Sequence, residues 1–420
     1  MYETEQKKER VILVGISLSD AEDVDQSLDE LEELARTAGA ECVGRVIQKR
    51  ELIHPGTYVG KGKLDEIRDL LWETEADGII CDDELSPAQI GNLKDELHTK
   101  IMDRTLLILD IFAARASTNE GKIQVELAQL KYRQSRLTGY GTSLSRLGGG
   151  IGTRGPGEKK LETDRRHIER RMEDIKKELA DLRRTRGVQR TRREKSGIPV
   201  VALVGYTNSG KSALMNSILS MTDKEEKTVV EKDMLFATLD AQSRGVTLDT
   251  NHRFILVDTV GFVSKLPHSL VEAFKATLEE VLYADLLLHV VDSSYEENRF
   301  HIDVTNKVLE EIGAAAKEKV MVFNKIDLAP SFEAPVTNLD NLFVSAKTGE
   351  NLDLLIEKIK EIIFTDISAR LLIPYARGDL SSYLCEKAEV KSMEYVEEGT
   401  LFDVELRQED YQRLKKYEVI

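Results

Sequence analysis

Along the first hundred residues, apolar positions fall into short β-branched runs separated by stretches with helical spacing. Val11-Ile-Leu-Val-Gly-Ile-Ser17, Glu41-Cys-Val-Gly-Arg-Val-Ile-Gln48 and Asp77-Gly-Ile-Ile-Cys81 predict strands. Asp23–Ala38 and Leu64–Thr74 predict amphipathic helices, and Ser86-Pro87 a helix start with proline at the first helical position. The rhythm then changes. Ile123, Leu127, Leu130 and Leu137 recur at helical spacing across Asn119–Leu137, and Leu161, Ile168, Met172, Ile175, Leu179 and Leu182 do so across Lys159–Lys195. The glycine-dense stretch between them, Thr138 to Glu158, is expected to form neither a stable helix nor a core.

From about residue 198 the buried-strand pattern returns in Ile198–Val204, Arg253–Asp258, Lys319–Phe323 and Asn341–Val344, with a helix from Ser212 to Leu219. The last fifty residues predict strands at Leu371–Tyr375, Val390–Val396 and Thr400–Leu406, and a helix at Leu380–Lys387. The expected fold class is therefore α/β: a phosphate-loop domain (198–365) preceded by an α/β domain (1–115) with a long helical hairpin (116–197). A small α+β module (366–420) follows it.

Charge changes this picture in one place. The chain carries a formal −16, yet residues 122–195 hold 21 Lys and Arg against 10 Asp and Glu, so the hairpin is +11 and the remainder −27. A basic arm on an acidic body is the footprint of phosphate-backbone binding, and a flexible Gly/Arg tip suits insertion into folded RNA. The same run also fits a solvated helix face. Three scattered cysteines (Cys42, Cys81, Cys385) form no metal or redox pattern, and the seven histidines show no ligand spacing. No leader, lipidation motif or long apolar span is read in the sequence, so a cytoplasmic protein without a membrane span is expected. Gly60-Lys-Gly-Lys63 reads as a solvated basic turn, with a second anion site as the alternative.

Four motifs carry the chemistry. Gly205-Tyr206-Thr207-Asn208-Ser209-Gly210-Lys211-Ser212 fits G-x-x-x-x-G-K-[ST] between a buried strand and a helix that continues through Ala213. Its backbone N–H groups would wrap a polyphosphate at the helix N-terminus, Lys211 would reach the β- and γ-phosphates, and Ser212 would hold Mg²⁺. Asp258, at the end of the next strand, suits the same cation, and Gly261 lets a backbone N–H approach the γ-phosphate. In Asn324-Lys325-Ile-Asp327 the aspartate can accept two guanine protons that adenine lacks. Asn324 would tether the adjacent loop and Lys325 would lie along the purine ring. Ser345-Ala346-Lys347 supplies a backbone N–H suited to guanine O6. In this order the motifs imply a GTP-hydrolysing switch that turns GTP into GDP.

Two further residues refine it. Thr238, in Leu235-Phe-Ala-Thr-Leu-Asp240, is the candidate for a Mg²⁺ ligand held only while the γ-phosphate is present. Phe262 follows Gly261 where many small GTPases carry a water-orienting glutamine, and it has no hydrogen bond to offer water. Hydrolysis is expected to be slow alone and stimulated by a partner, with Phe262 also packing a core. Lys211, Thr238 and Gly261 are the catalytic candidates.

Gly148-Gly-Gly-Ile-Gly-Thr-Arg-Gly-Pro-Gly-Glu-Lys-Lys-Leu-Glu-Thr-Asp-Arg-Arg166, Tyr58-Val-Gly-Lys-Gly-Lys63, the phosphate loop, Phe236-Ala-Thr-Leu-Asp240 and the hydrophobic Phe262 together resemble the HflX family of bacterial translational GTPases over essentially the whole chain. The resemblance implies docking of the N-terminal domain and hairpin on the large ribosomal subunit, the loop approaching the peptidyl-transferase centre. It also implies ribosome-stimulated GTPase activity and splitting or rescue of stalled ribosomes by a protein expected to be monomeric. Arg146, Arg154, Lys159, Lys160, Arg165 and Arg166 are the candidate contacts to ribosomal RNA. Asp240-Ala-Gln-Ser-Arg244 departs from relatives that often carry a proline and threonines there. The alternative function is a GTP-dependent binding module in large-subunit assembly.

Overall fold

The computed structural model describes residues 8–18, 24–144, 156–222, 242–248, 252–265, 278, 280–295, 298–329, 332, 341–364 and 366–419. By their contacts the described residues of 8–191 and 260–278 form one body, and those of 192–222, 242–259 and 280–419 another.

The first body is built on a four-stranded parallel sheet in the order β2-β1-β3-β4, from β1 (Glu9–Ser17), β2 (Ala40–Lys49), β3 (Gly78–Cys81) and β4 (Lys100–Asp103). Alternation along β1 sends Val11 and Leu13 into one core and Ile12, Val14 and Ile16 into another, so helices must cover both faces. They are α1 (Val24–Thr37), α2 (Lys61–Thr74), α3 (Pro87–Leu97) and α4 (Arg104–Arg115). Ser86 caps α3 in a reciprocal capping box with Gln89, and proline sits in the first turn as the sequence predicts. Lys61 opens α2, and Lys63 pairs with Glu66 at 2.7 Å on the exposed face of that basic turn.

The hairpin is α5 (Asn119–Leu144) and α6 (Pro156–Ser196). Ile123 and Leu127 interlock with Met172, Ile175 and Leu179, joined by Leu130, Ile168 and Leu182, at the apolar positions that the helical spacing selects. Helix nevertheless runs on through Thr138-Gly139-Tyr140-Gly141 and already includes Pro156, so both ends of the stretch expected to be non-helical are helical. Each glycine costs only about 1 kcal/mol relative to alanine once a helix is nucleated, and propagation from a packed stem outweighs that.

The second body holds a six-stranded sheet ordered β10-β9-β8-β5-β7-β6. Its strands are β5 (Val200–Val204), β6 (Gln242–Thr247), β7 (Arg253–Asp258), β8 (Leu286–Asp292), β9 (Lys319–Asn324) and β10 (Asn341–Phe343); all pairs are parallel except β6 with β7. The helices are α7 (Lys211–Thr222), α8 (Asn298–Ile312) and α9 (Leu352–Ile363). One core joins Val201, Leu203 and Leu256 to Leu214, Ile218, Leu355 and Ile359. β5 lies between β8 and β7, so the chain winds away from it on both sides. That reversal opens a crevice at the carboxyl end of β5, the place where open α/β sheets take ligands.

The C-terminal module is an antiparallel sheet ordered β11-β13-β12, from β11 (Asp366–Ile373), β12 (Glu389–Val396) and β13 (Gly399–Arg407). Leu371, Phe402 and Val404 pack beneath Leu384 of α10 (Gly378–Lys387) and Leu414 of α11 (Gln408–Leu414).

Candidate nucleotide site

The turn from β5 to α7 alternates through positive φ at Gly205 (+148°), Asn208 (+60°) and Gly210 (+88°). Such a path turns successive N–H groups inward and forms an anion-binding concavity beside the helix N-terminus. Both glycines are required by space as well as by φ. A Cβ on Gly205 would collide with the Val290 carbonyl oxygen, and one on Gly210 with the Asn324 side-chain amide.

Lys211 is 6% exposed and donates from Nζ to the carbonyls of Gly205 at 3.0 Å and Tyr206 at 2.7 Å. Burial pushes its ammonium down to about 8, partly opposed by Asp258. Ser212 Oγ donates to Asp258 Oδ2 at 2.6 Å, and Thr259 Oγ1 to the Leu203 carbonyl at 2.6 Å. The hydroxyl and the fully buried carboxylate are thus adjacent, a hard oxygen pair of the kind Mg²⁺ selects. Thr207 Oγ1 and Ser209 Oγ are buried without a hydrogen-bond partner among the described residues. Orphaned hydroxyls in a concavity built for an anion fit a loop completed by its ligand.

Asn324 ties three loops together. Its Nδ2 donates to the Ser209 carbonyl at 3.0 Å and its Oδ1 accepts from the Ala346 N–H at 2.9 Å. Lys325, at φ +65°, pairs with Asp292 at 2.7 Å, and Asp327 accepts from Ser345 Oγ at 2.7 Å. The motif around Asn324, the motif around Ser345 and the phosphate loop therefore converge at the carboxyl ends of β5, β9 and β10. Thr238, Arg146 and Arg154 lie outside the described residues, as do the side chains of Lys159 and Lys160. Arg165 pairs with Glu169 at 2.9 Å and Arg166 with Glu162 at 2.7 Å, with the two arginines 56% and 73% exposed.

Asp258 and Thr259 belong to the six-stranded body, but the next residues pack elsewhere. Val260 and Val263 join the core of Leu13, Leu107 and Phe112, Gly261 lies between them, and Phe262 is 3% exposed. Phe262 is thus a packed residue as well as one unable to orient water.

Two features escape motif reading. His301 on α8 stacks between Tyr206 of the phosphate loop (3.8 Å, 13°) and Tyr295 (4.4 Å, 14°). His289 in β8 is 1% exposed with neither ring nitrogen hydrogen-bonded among the described residues, and burial pushes it down to about 3. Both histidines sit within helical or strand patterns that read as ordinary core, and only the tyrosine in the loop hints at an aromatic neighbour. Among the described residues no cluster of three or more His, Cys, Asp or Glu could hold a metal. No described helix is long and apolar enough to cross a membrane.

Three family models match the chain. One described as GTP-binding GTPase N-terminal covers residues 25–113, a GTP-binding GTPase middle region covers 115–193, and a 50S ribosome-binding GTPase covers 200–325. The chain is 50% identical over 402 residues to GTPase HflX of Lacrimispora saccharolytica, covering 95% of this chain and 94% of that one. It is 39% identical over 426 residues to GTPase HflX of Escherichia coli K12, covering 100% and 98%. Among solved structures it is similar to a GTP-binding protein from the archaeon Sulfolobus solfataricus in complex with GDP, at 26% identity and a TM-score of 0.42, covering 84% of this chain and 98% of that one.

Proposed function

The chain belongs to the HflX family of GTPases and hydrolyses GTP, and from that premise we propose that it docks on the large ribosomal subunit and uses GTP to split or rescue stalled ribosomes. The observation that carries the docking is the hairpin: a +11 segment in an acidic chain, with Arg165 and Arg166 exposed on α6. Its cationic face suits the phosphate backbone of ribosomal RNA, the rest of the chain does not, and the match to a 50S ribosome-binding GTPase model supports the same partner. The protein acts as a monomer in the cytoplasm, where that partner is. Residues 1–115, 116–197, 198–365 and 366–420 are its working parts.

In this reading the N–H groups of residues 205–213 and Lys211 hold the phosphates, Asp327 selects guanine, and the Ser345-Ala346-Lys347 loop meets the other edge of the base. Ser212 and Asp258, with Thr238, would hold Mg²⁺, which when bound would neutralise charge building on the phosphates. Gly261 contributes its N–H near the γ-phosphate. Phe262 leaves the attacking water without a side-chain partner, so hydrolysis is slow alone and rises when the ribosome supplies the missing help.

The test is GTP turnover with and without large subunits, beside sedimentation of intact ribosomes. Strong stimulation together with loss of the intact-ribosome peak is expected. Stimulation with that peak unchanged would exclude splitting and favour a large-subunit assembly role. Deleting residues 141–157 should abolish the stimulation and leave nucleotide affinity intact.

A further inference from the structure

The carboxyl edge of the first sheet holds two anchors on adjacent residues. Asp103, fully buried at the end of β4, accepts four hydrogen bonds: from Leu106 N at 2.8 Å, Leu85 N at 3.0 Å, Tyr132 OH at 2.9 Å and Arg136 Nη2 at 2.8 Å. The last two come from α5, and the Arg136 guanidinium also lies 3.1 Å from the centre of the Tyr132 ring. The first helix of the basic hairpin is therefore fixed to the sheet through one carboxylate.

The next residue, Arg104, is 2% exposed and reaches the other way. It donates to Asp82 at 2.7 Å, to Ser264 Oγ at 2.8 Å and to Glu30. Ser264 also bonds Glu30, and Lys265 pairs with Asp82 and, at 3.3 Å, with Asp83. Ser264 and Lys265 end the short segment that begins at Val260 and contains Gly261 and Phe262. Val260 and Val263 sit in the core with Leu107 and Ile108 of α4, the helix that Asp103 caps.

We infer that the Asp103–Arg104 pair is the junction through which the hairpin sets the position of the Gly261-Phe262 segment, with Arg136 and Lys265 as positioning residues on its two sides. Resting on the docking reading above, the inference adds the route by which a bound RNA reaches the hydrolytic step. A shift of α5 moves a carboxylate saturated with donors. It cannot do so without disturbing the start of α4, whose first residue holds Ser264. A largely buried network of ion pairs has few intermediate arrangements, so it passes on a displacement rather than absorbing it.

Amide hydrogen exchange on the full chain without ribosomes tests the junction by itself. Arg136→Met should speed exchange at 260–265 about tenfold and leave α7 protected, as a coupling between distinct sites requires. Lys265 is 40% exposed and replaceable without unfolding, so Lys265→Met gives the reciprocal arm, faster exchange at 130–137. Unchanged exchange at the distant segment in both variants overturns the inference. With large subunits present, Lys265→Met should lower the ratio of stimulated to unstimulated kcat about tenfold at unchanged KM for GTP, and Lys265→Arg should restore it. Full stimulation of Lys265→Met likewise overturns it. A wild-type protein that large subunits leave unstimulated would sink the docking reading instead, and the exchange arms would still decide the junction.

Discussion

Two sheets in this chain, one parallel and one mostly so, have the same kind of carboxyl edge, and they use it in opposite ways. At the end of β5, β7 and β9 stand a glycine loop, Asp258 and Asn324, with the buried Thr207 and Ser209 hydroxyls unpaired among the described residues. At the end of β3 and β4 stand Asp82, Asp83 and Asp103, whose acceptors are taken by Arg104, Lys265, Tyr58, Tyr132 and Arg136. One edge keeps polar groups in reserve for a ligand. The other satisfies them with the protein's own side chains and thereby becomes a joint. Topology offers a crevice at both; glycines that open the loop at one edge, and carboxylates already paired with the protein's own cations at the other, decide which one takes a phosphate.

The sharpest way to break this comparison is to remove one carboxylate from each edge. Asp103→Ala strands two backbone N–H groups and takes from the Arg136 guanidinium its buried carboxylate, so we expect a loss of about 3–5 kcal/mol, read by urea denaturation. Asp258→Ala should cost far less stability and should abolish hydrolysis. Equal stability losses in the two variants would show that both edges are structural. Next in size, Lys211→Ala should weaken GTP binding at least about a hundredfold by removing a buried charge from the phosphates. Asp327→Asn should move preference from GTP to xanthosine triphosphate, measured by competitive titration, and an unchanged preference would refute the guanine assignment.

The nucleotide edge was largely legible in the sequence because its determinants are local. Gly205, Gly210, Lys211 and Ser212 lie within eight residues, and Asp258 and Asn324 end runs whose apolar character marks them as buried strands. The hairpin core was legible for the same reason, at Ile123, Leu127, Leu130, Ile168, Met172, Ile175, Leu179 and Leu182, while the Leu161 side chain lies outside the described residues. The other edge was not. β4 is a four-residue strand, Lys-Ile-Met-Asp, too short for any period to announce it. The partners of Arg104 are 22, 74 and 160 positions away in sequence. β6, Gln-Ser-Arg-Gly-Val-Thr, is polar enough to read as loop and is a strand only because it pairs with β7. Long-range pairing leaves no mark that composition or spacing can carry.

His289 gives a pH-dependent form of the comparison, since among the described residues the first sheet's domain buries no such imidazole. Its pKa in the fold is about 3, against an ordinary 6.5 in the unfolded chain. Below 6.5 the unfolded state takes up a proton that the native state refuses. The stability it contributes is therefore complete above 6.5 and is lost as pH falls towards 3, at up to about 1.4 kcal/mol per pH unit. His289→Leu should flatten that slope between pH 7 and 5, measured as the wild-type minus variant difference in urea midpoints. An identical slope in both proteins would mean the imidazole is solvated in the folded state.

The smallest expected effect is at His301, and it asks how much of the ligand-ready edge is shaped from outside the motif. The Tyr206 carbonyl accepts from Lys211 Nζ at 2.7 Å and from the Ser209 N–H at 3.4 Å, so the residue whose ring His301 clamps is also the inner brace of the loop. A stacked aromatic pair contributes about 0.5–1.5 kcal/mol beyond its buried area. If that energy orders the loop for its anion, His301→Ala should weaken GDP binding about fivefold, and His301→Phe, which keeps the stack, should restore it. Calorimetric titration of both variants separates this from a packing role, which would lower the melting temperature of His301→Ala without moving GDP affinity. In that event the loop's shape would be fixed by its own glycines and by Asn324.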